Sequence, residues 1–193
     1  MEIISRMLED SPLDEAATIE QARRDPAGFA PLYERYFLKI YRYCLRRTGQ
    51  AEEAEDLTSL IFTRALHGLG GYRGGSVAAW LFQIARNTTL NHLQKKGRFS
   101  LPLTEDLSLY DPSGEDTLDR LIRLENRQQL ARLVAALPDD QRDLLDLRFA
   151  GGLSAKEIGA ILGKSEGNIR VALHRVIERL HKQYRRSSEE EAK

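Results

Sequence analysis

The sequence predicts an all-α chain: two small helical domains joined by a flexible acidic linker. Three observations lead there. Apolar residues recur three and four apart in separate runs, among them Phe29 to Cys44, Leu57 to Leu66, Val77 to Thr88 and Ile169 to Leu180, which is the spacing of one buried helix face. Pro and Gly punctuate the gaps between runs. Charge, finally, is segregated. The 193 residues carry 29 basic and 29 acidic side chains, a formal net charge of zero. The balance is nevertheless −4 over residues 1–30, +6 over 31–98, −5 over 99–125, 0 over 126–163, +5 over 164–186 and −2 over 187–193. Two basic blocks around an acidic one point to two modules that face nucleic acid. At 41% hydrophobic content each module has enough apolar side chains for a core.

Composition also excludes classes. Met1 to Pro12 holds no apolar run of a secretory signal, and no stretch approaches the roughly 20 apolar residues that span a bilayer. A cytoplasmic protein with no membrane insertion of its own is expected. Cys44 is the one cysteine, so no intramolecular disulfide can form, which suits a reducing compartment. It falls on the apolar side of a helix and reads as a buried, inert thiol. His67, His92, His174 and His181 are scattered, with no metal-spaced Cys or His cluster, P-loop or nucleophile motif. No metal, cofactor or catalytic residue is expected, and an enzyme is the least supported reading.

Residues 12–98 form the first predicted domain. Ser11-Pro12 signals a short helix reaching Arg24, and Asp25-Pro26 is a second start signal of the same kind. Phe29, Leu32, Tyr33, Tyr36, Phe37, Ile40 and Cys44 then make the buried stripe of a longer helix with Pro31 in its first turn. Arg35, Lys39, Arg42, Arg46 and Arg47 line its outer face. Thr48-Gly49-Gln50 breaks to the stretch 51–98, around which the domain is organised. Glu52, Glu53, Glu55 and Asp56 crowd a helix start, where carboxylates complement the positive dipole end. Leu57, Leu60, Ile61, Ala65 and Leu66 are its stripe, and Gly68, Gly70 and Gly71 end it. Ser76 caps the next helix, which turns Val77, Trp80, Leu81, Ile84, Ala85 and Thr88 inward. Its other face carries Gln83, Arg86, Asn87, Asn91, Gln94, Lys95 and Lys96, and no acid occurs from Val77 to Arg98. Amide and cationic donors without carboxylates suit nucleic acid.

Residues 99–125 are acidic, broken by Pro102, Pro112 and Gly114, and lack periodicity: a linker. A segment of that length spans about 30 Å as a coil and at most about 90 Å extended. Its acid is read as simple solvation, with competition against DNA for the basic modules as the functional alternative.

Residues 126–186 form the second predicted domain, entered by a stripe of Leu118, Leu121, Ile122, Leu130, Leu133 and Val134. After Leu137-Pro138, Asp139 caps a short helix holding Leu144, Leu145 and Leu147. Ala150-Gly151-Gly152 turns, Leu153-Ser154 opens a helix with Ile158, Ile161 and Leu162 inward, and Gly163 precedes a last helix to Arg186. Its apolar positions are Ile169, Ala172, Leu173, Val176, Ile177 and Leu180. A capped helix, a Gly turn and a cation-rich second helix make a helix-turn-helix pattern. Its outward residues are Lys164, Ser165, Glu166, Asn168, Arg170, Val171, His174 and Arg175. Arg170, Arg175 and Asn168 have the paired donors and acceptors that read guanine and adenine edges, while Lys164, Arg179 and Lys182 suit phosphate.

The two halves together resemble the sigma-70 family in its small extracytoplasmic-function group. In the first half the resemblance lies in Ala54-Glu55-Asp56-Leu57, Phe62, Arg64-Ala65-Leu66, Tyr72-Arg73-Gly74-Gly75-Ser76, Trp80-Leu81, Ile84-Ala85-Arg86-Asn87 and Asn91, similar to region 2. In the second it lies in Leu137 through Arg142, Leu147-Arg148-Phe149, Leu153-Ser154, Glu157-Ile158-Gly159, Leu162-Gly163 and Ser165 through Arg170, similar to region 4. The resemblance implies core RNA polymerase and promoter DNA as partners, with an anti-sigma factor expected as a third. It implies polymerase contacts at Glu53, Asp56, Leu57, Ile61 and Arg64, Leu57 and Ile61 being equally readable as core. It implies −10 element contacts at Tyr72, Arg73, Ser76, Arg86, Asn87, Asn91, Lys95 and Lys96, with the Gly70–Ser76 loop and Asn87 holding a base flipped from the non-template strand. The −35 element falls to Lys164, Ser165, Asn168, Arg170, Val171, His174, Arg175 and Arg179. Leu60 stands where such factors often carry an acid, and Val171-Ala172 where a basic residue and Ser are frequent. Two rivals remain: a sigma mimic that binds an anti-sigma protein without touching DNA, and a helix-turn-helix response regulator, which leaves 51–98 unexplained.

Overall fold

The computed structural model describes residues 14–97 and 128–191. The linker 99–125, the Ser11-Pro12 signal and the stripe positions Leu118, Leu121 and Ile122 lie outside them. Among the described residues all regular structure is helical. In order these are α1 (Glu15–Arg24), a 3-10 turn (Pro26–Phe29), α2 (Ala30–Thr48), α3 (Ala51–His67), a second 3-10 turn (Leu69–Gly71) and α4 (Val77–Lys95). After the linker come α5 (128–135), α6 (Asp139–Leu145) running into a π turn (Asp146–Ala150), α7 (Ala155–Leu162) and α8 (Glu166–Glu191).

Local chemistry sets most boundaries. Asp14 starts α1, its carboxylate accepting from the Ala16 and Ala17 amides at 3.1 and 3.0 Å. Asp25 does the same for the first 3-10 turn through Ala27 N at 3.0 Å. Pro31 sits in the first turn of α2, where its missing N–H costs nothing, and Gly49 ends that helix in the left-handed region at φ 69°. Ser154 and Glu157 form a reciprocal capping box on α7. Asp139 does not cap α6: Pro138 holds that position without a side-chain bond, and the Asp139 carboxylate turns instead to Arg47, 2.9 Å away.

Helices α2, α3 and α4 pack on one another through Leu32, Ile40, Ile61, Leu81, Phe82 and Ala85, all fully buried. Several stripe positions stand at the rim rather than inside. Tyr33 and Phe37 are 42% and 37% exposed and lie against the Phe62 ring, and Leu60, Leu130 and Ile177 are also exposed.

The core does not stop at the boundary between the halves. Leu144, Leu145, Leu147, Leu153 and Ile158 belong to the same buried cluster as Tyr43, Leu81 and Phe82. Helix α4 lies along α7, and α2 lies against the π turn. A Cβ on Gly151 would come within 2.9 Å of the Phe82 ring, so the glycine is what lets the second half's backbone reach α4. The outer face predicted for α2 is therefore partly an inner one. Arg47 is completely buried, and Arg46 pairs with Asp146.

Candidate nucleic-acid interfaces

The first interface is built on α4 and the loop before it. Ser76 caps the helix, its hydroxyl oxygen accepting from Ala79 N at 3.1 Å. Asn87, Asn91 and Lys95 point to solvent, and Gln83 donates to Asn87 Oδ1 at 3.3 Å, which orients that amide. The loop over 70–76 contains two glycines of positive φ, Gly74 at 93° and Gly75 at 91°, a conformation that L side chains resist. Tyr72 shapes the loop from below rather than offering its ring outward. It is 8% exposed, its ring meets Trp80 edge-on at 5.4 Å, and its hydroxyl donates to Gly75 O at 2.7 Å. Burial raises its pKa above the ordinary phenol value. Trp80 thus takes the core side, as its inward phase required. Arg73 is exposed and donates to Gly70 O at 3.0 Å.

Two residues assigned to this face are already engaged across the joint between halves. Arg86 Nε lies 2.6 Å from Asp143 Oδ2, and Asp143, 2% exposed, also accepts from the Tyr43 hydroxyl at 2.9 Å. Ser76 donates to Glu157 Oε1 at 2.5 Å. With Arg46–Asp146 at 2.5 Å and Arg47–Asp139 at 2.9 Å, four carboxylates of the second half cover one side of the first. Burial pushes the Tyr43 phenol well up and the Asp146 carboxyl up, the latter against the pull of Arg46. Burial also raises Glu157, but hydrogen bonds from Ser76 and Ser154 outweigh it and leave this carboxyl below its usual range. The acid that meets the basic face described here belongs to the second module; the linker lies outside the described residues.

Helix α3 splits the predicted polymerase contacts. Asp56 and Arg64 are exposed, Arg64 also donating to Thr88 at 2.9 Å. Leu57 and Ile61, 2% and 0% exposed, are core side chains and offer nothing to a partner in this arrangement. Glu53 is held by Lys96 at 2.6 Å and His92 at 2.9 Å, so a residue assigned to polymerase and one assigned to DNA are spent on each other. Burial raises Glu53, the two bonds pull it down, and the balance lies below the usual carboxylate value.

The second interface is the α7–α8 pair. Gly163 ends α7 at φ 64°, and a Cβ on Gly159 would meet Lys164 O at 2.6 Å, so the tight turn between the helices needs both glycines. Ser165 caps α8 through Asn168 N at 3.3 Å. Ile169, Leu173, Val176 and Leu180 are buried. Lys164, Ser165, Asn168, Arg170, Val171, His174, Arg175 and Arg179 are exposed along one side. Arg170 pairs along its own helix, with Glu166 at 2.5 Å, and Arg179 donates to Gln141 at 3.1 Å. A row of amide, guanidinium and small apolar groups on an unburied helix start is what a major groove accepts.

Sequence reasoning gave no role to Asp143, Asp146 or Arg23. The two aspartates had a signal: with Asp139 they recur four and three apart, hence on one helix face. Arg23 had none beyond its charge, yet its guanidinium reaches the backbone of the 70–76 loop.

Comparison with known proteins bears on both halves. The family model described as Sigma-70 region 2 matches residues 32–99, and that described as Sigma-70, region 4 matches residues 127–185. BldN of Streptomyces coelicolor, an ECF RNA polymerase sigma factor, is 37% identical over 179 residues, covering 86% of this chain and 66% of BldN. SigW of Bacillus subtilis, also an ECF RNA polymerase sigma factor, is 31% identical over 86% of this chain and 95% of its own. Among solved structures, CnrH in complex with the cytosolic domain of CnrY aligns with a TM-score of 0.63 at 19% identity, over 86% of this chain and 94% of that one. The sigma factor RpoE in complex with the anti-sigma factor NepR from Bartonella quintana aligns at 0.59 and 23%, over 80% and 94%. At such identities the two structures speak for the fold alone.

Proposed function

We propose, from the premise that this chain belongs to the extracytoplasmic-function group of the sigma-70 family, that it binds core RNA polymerase and reads a promoter at two points. The observation that carries this reading is one donor-rich helix in each half, α4 and α8, in the order of the family's two regions. The 70–76 loop and Asn87 take a base flipped from the non-template strand of the −10 element. Arg73, Arg86, Asn91 and Lys95 hold its backbone, and Lys96 joins them on leaving Glu53. On α8, Asn168, Arg170 and Arg175 read base edges of the −35 duplex, Val171 meets a thymine methyl, and Lys164, Ser165, His174 and Arg179 fix the register. Asp56 and Arg64, with exposed Leu60 between them, face the polymerase. The chain acts by binding and leaves the chemistry to the polymerase, in the cytoplasm. No helix among the described residues is long and apolar enough to cross a membrane.

The packed arrangement is a closed one. Arg86 and Ser76 reach DNA only after exchanging Asp143 and Glu157 for phosphate, so promoter binding requires the halves to part. An anti-sigma partner, as in the RpoE–NepR structure, would act by keeping them together. Run-off transcription with purified core polymerase on a genomic promoter library tests the assignment. Promoter-specific transcripts that Asn87→Ala weakens at the −10 element support it. A chain that binds no polymerase overturns it and favours a mimic that sequesters an anti-sigma protein.

A further inference from the structure

The base-receiving loop is anchored from outside the region-2 match. Arg23, in the last turn of α1, lies ahead of residues 32–99. Its Nε and Nη2 donate to Leu69 O at 3.2 and 3.1 Å, and Nη2 donates again to Tyr72 O at 2.6 Å. Glu20 pins the other arm, its Oε1 2.6 Å from Nη1. We propose that Arg23 is the positioning residue of the loop, setting the place from which residues 73–76 meet a flipped base. The proposal rests on the −10 reading of that loop.

The loop has a fixed floor and an open top. Its floor is held twice: by Arg23 at the carbonyls of Leu69 and Tyr72, and by the Tyr72 hydroxyl at Gly75 O, 2.7 Å away. Among the described residues no other side chain donates to those first two carbonyls. Above the floor, a Cβ on Gly70, Gly71, Gly74 or Gly75 would meet no atom within 4 Å. That open space lets a nucleotide approach the backbone closely. Two glycines of positive φ would by themselves leave this segment many conformations. Holding its entry fixes the geometry before the base arrives, so the ordering cost does not fall on binding. The task also suits Arg rather than Lys. A planar fork serves two neighbouring carbonyls and a carboxylate at once, where an ammonium on a flexible stem orients none of them.

The test uses holoenzyme reconstituted from core polymerase and the full chain, with fork-junction DNA of a promoter found by run-off transcription. The DNA is either intact or abasic at each −10 position in turn. Wild type should lose affinity sharply at the flipped position. Arg23→Gln should lose about tenfold on intact DNA and little on that abasic DNA, so the intact-to-abasic ratio falls toward one. Arg23→Lys should recover part of the ratio, while polymerase binding and −35 duplex binding stay at wild-type levels. Should Arg23→Gln melt early, Glu20→Gln loosens the same guanidinium and should shift the ratio in the same direction. An unchanged ratio in Arg23→Gln, or a proportional loss in all three readouts, overturns the proposal. Gly74→Val separates this from failure of the loop reading. A ratio that collapses in Gly74→Val but not in Arg23→Gln removes Arg23 alone, whereas a wild type with no abasic-sensitive position removes the loop and Arg23 together.

Discussion

Helices α4 and α8 carry similar chemistry and stand in opposite situations. On α8 the proposed readers face outward: Asn168, Val171, His174 and Arg175 are exposed, and Arg170 pairs with Glu166 of its own helix. On α4, Arg86 is bound to a carboxylate of the other half that is 2% exposed, and the cap residue Ser76 is bound to another. A cation at the surface is ready for phosphate and loses only solvent and a weak pair on binding. A cation held by a buried carboxylate must first leave it. On the proposed reading the two helices are thus unequal partners for DNA, one available in the closed form and one conditional on opening.

The comparison breaks most completely at Asp143. Removing one member of a fully buried, hydrogen-bonded ion pair costs about 3–5 kcal/mol because the other charge is stranded; Arg86, 27% exposed, regains some water, so the cost here lies below that range. Asp143→Ala leaves both Arg86 and the Tyr43 hydroxyl without it, so the closed arrangement should give way. Small-angle scattering should record a larger radius of gyration, and single-stranded −10 DNA should bind more tightly, with −35 duplex affinity unmoved. Unchanged radius and affinity would mean that the pair does not hold the halves together. Arg170→Ala sharpens the contrast from the other side. Loss of a paired base contact is worth about 1–3 kcal/mol, roughly five- to 150-fold in duplex affinity. Titration should show that loss on the −35 duplex and none on −10 single strands; equal losses on both would deny α8 its separate role.

Acid gives the smallest effect. Glu157 lies below the usual carboxylate range, so its charged form favours the folded, closed state. Its contribution is complete above a pH of about 4.5 and fades as pH falls through its lowered pKa. Asp146, raised by burial, works the other way: its charge costs stability as pH climbs through its raised pKa. Glu157 is partly exposed and its bonds are screened by solvent, so Glu157→Gln should flatten the acid limb of thermal stability by less than about 1 kcal/mol. Melting curves between pH 3 and 6 measure it, and a steeper limb in the variant would reverse the sign assigned to Glu157.

What could be read from the sequence follows a physical line. Helical period, caps and breakers are local, so the Ser76 and Ser154 caps, the Gly163 stop and the inward side of α4 were legible. Periodicity says which residues share a face and is silent on what covers the opposite one. Arg46 and Arg47 therefore read as solvated cations, although one is paired to a buried aspartate and the other is fully buried. Asp139 satisfied every local rule for a cap and was claimed by Arg47, a partner 92 residues away. Leu57 and Ile61 fitted a docking surface and a core equally, and only packing could separate the two. The zero balance over 126–163 hid the most: Asp139, Asp143 and Asp146 of that stretch each pair with an arginine of the first half.

Cys44, wholly buried between α2 and the hydroxyl of Thr89, has its thiol pushed up to about 12 by burial, against weaker opposing hydrogen bonds. At neutral pH almost none of it is thiolate, and the thiolate is the reactive form. Cys44 is accordingly a poor target for peroxide and maleimide alike. For the experimenter that inertness is convenient. A cysteine placed on the exposed side of α8 and another on α3 would take fluorophores in an otherwise unlabelled chain, giving a ruler across the joint whose opening is proposed for promoter binding.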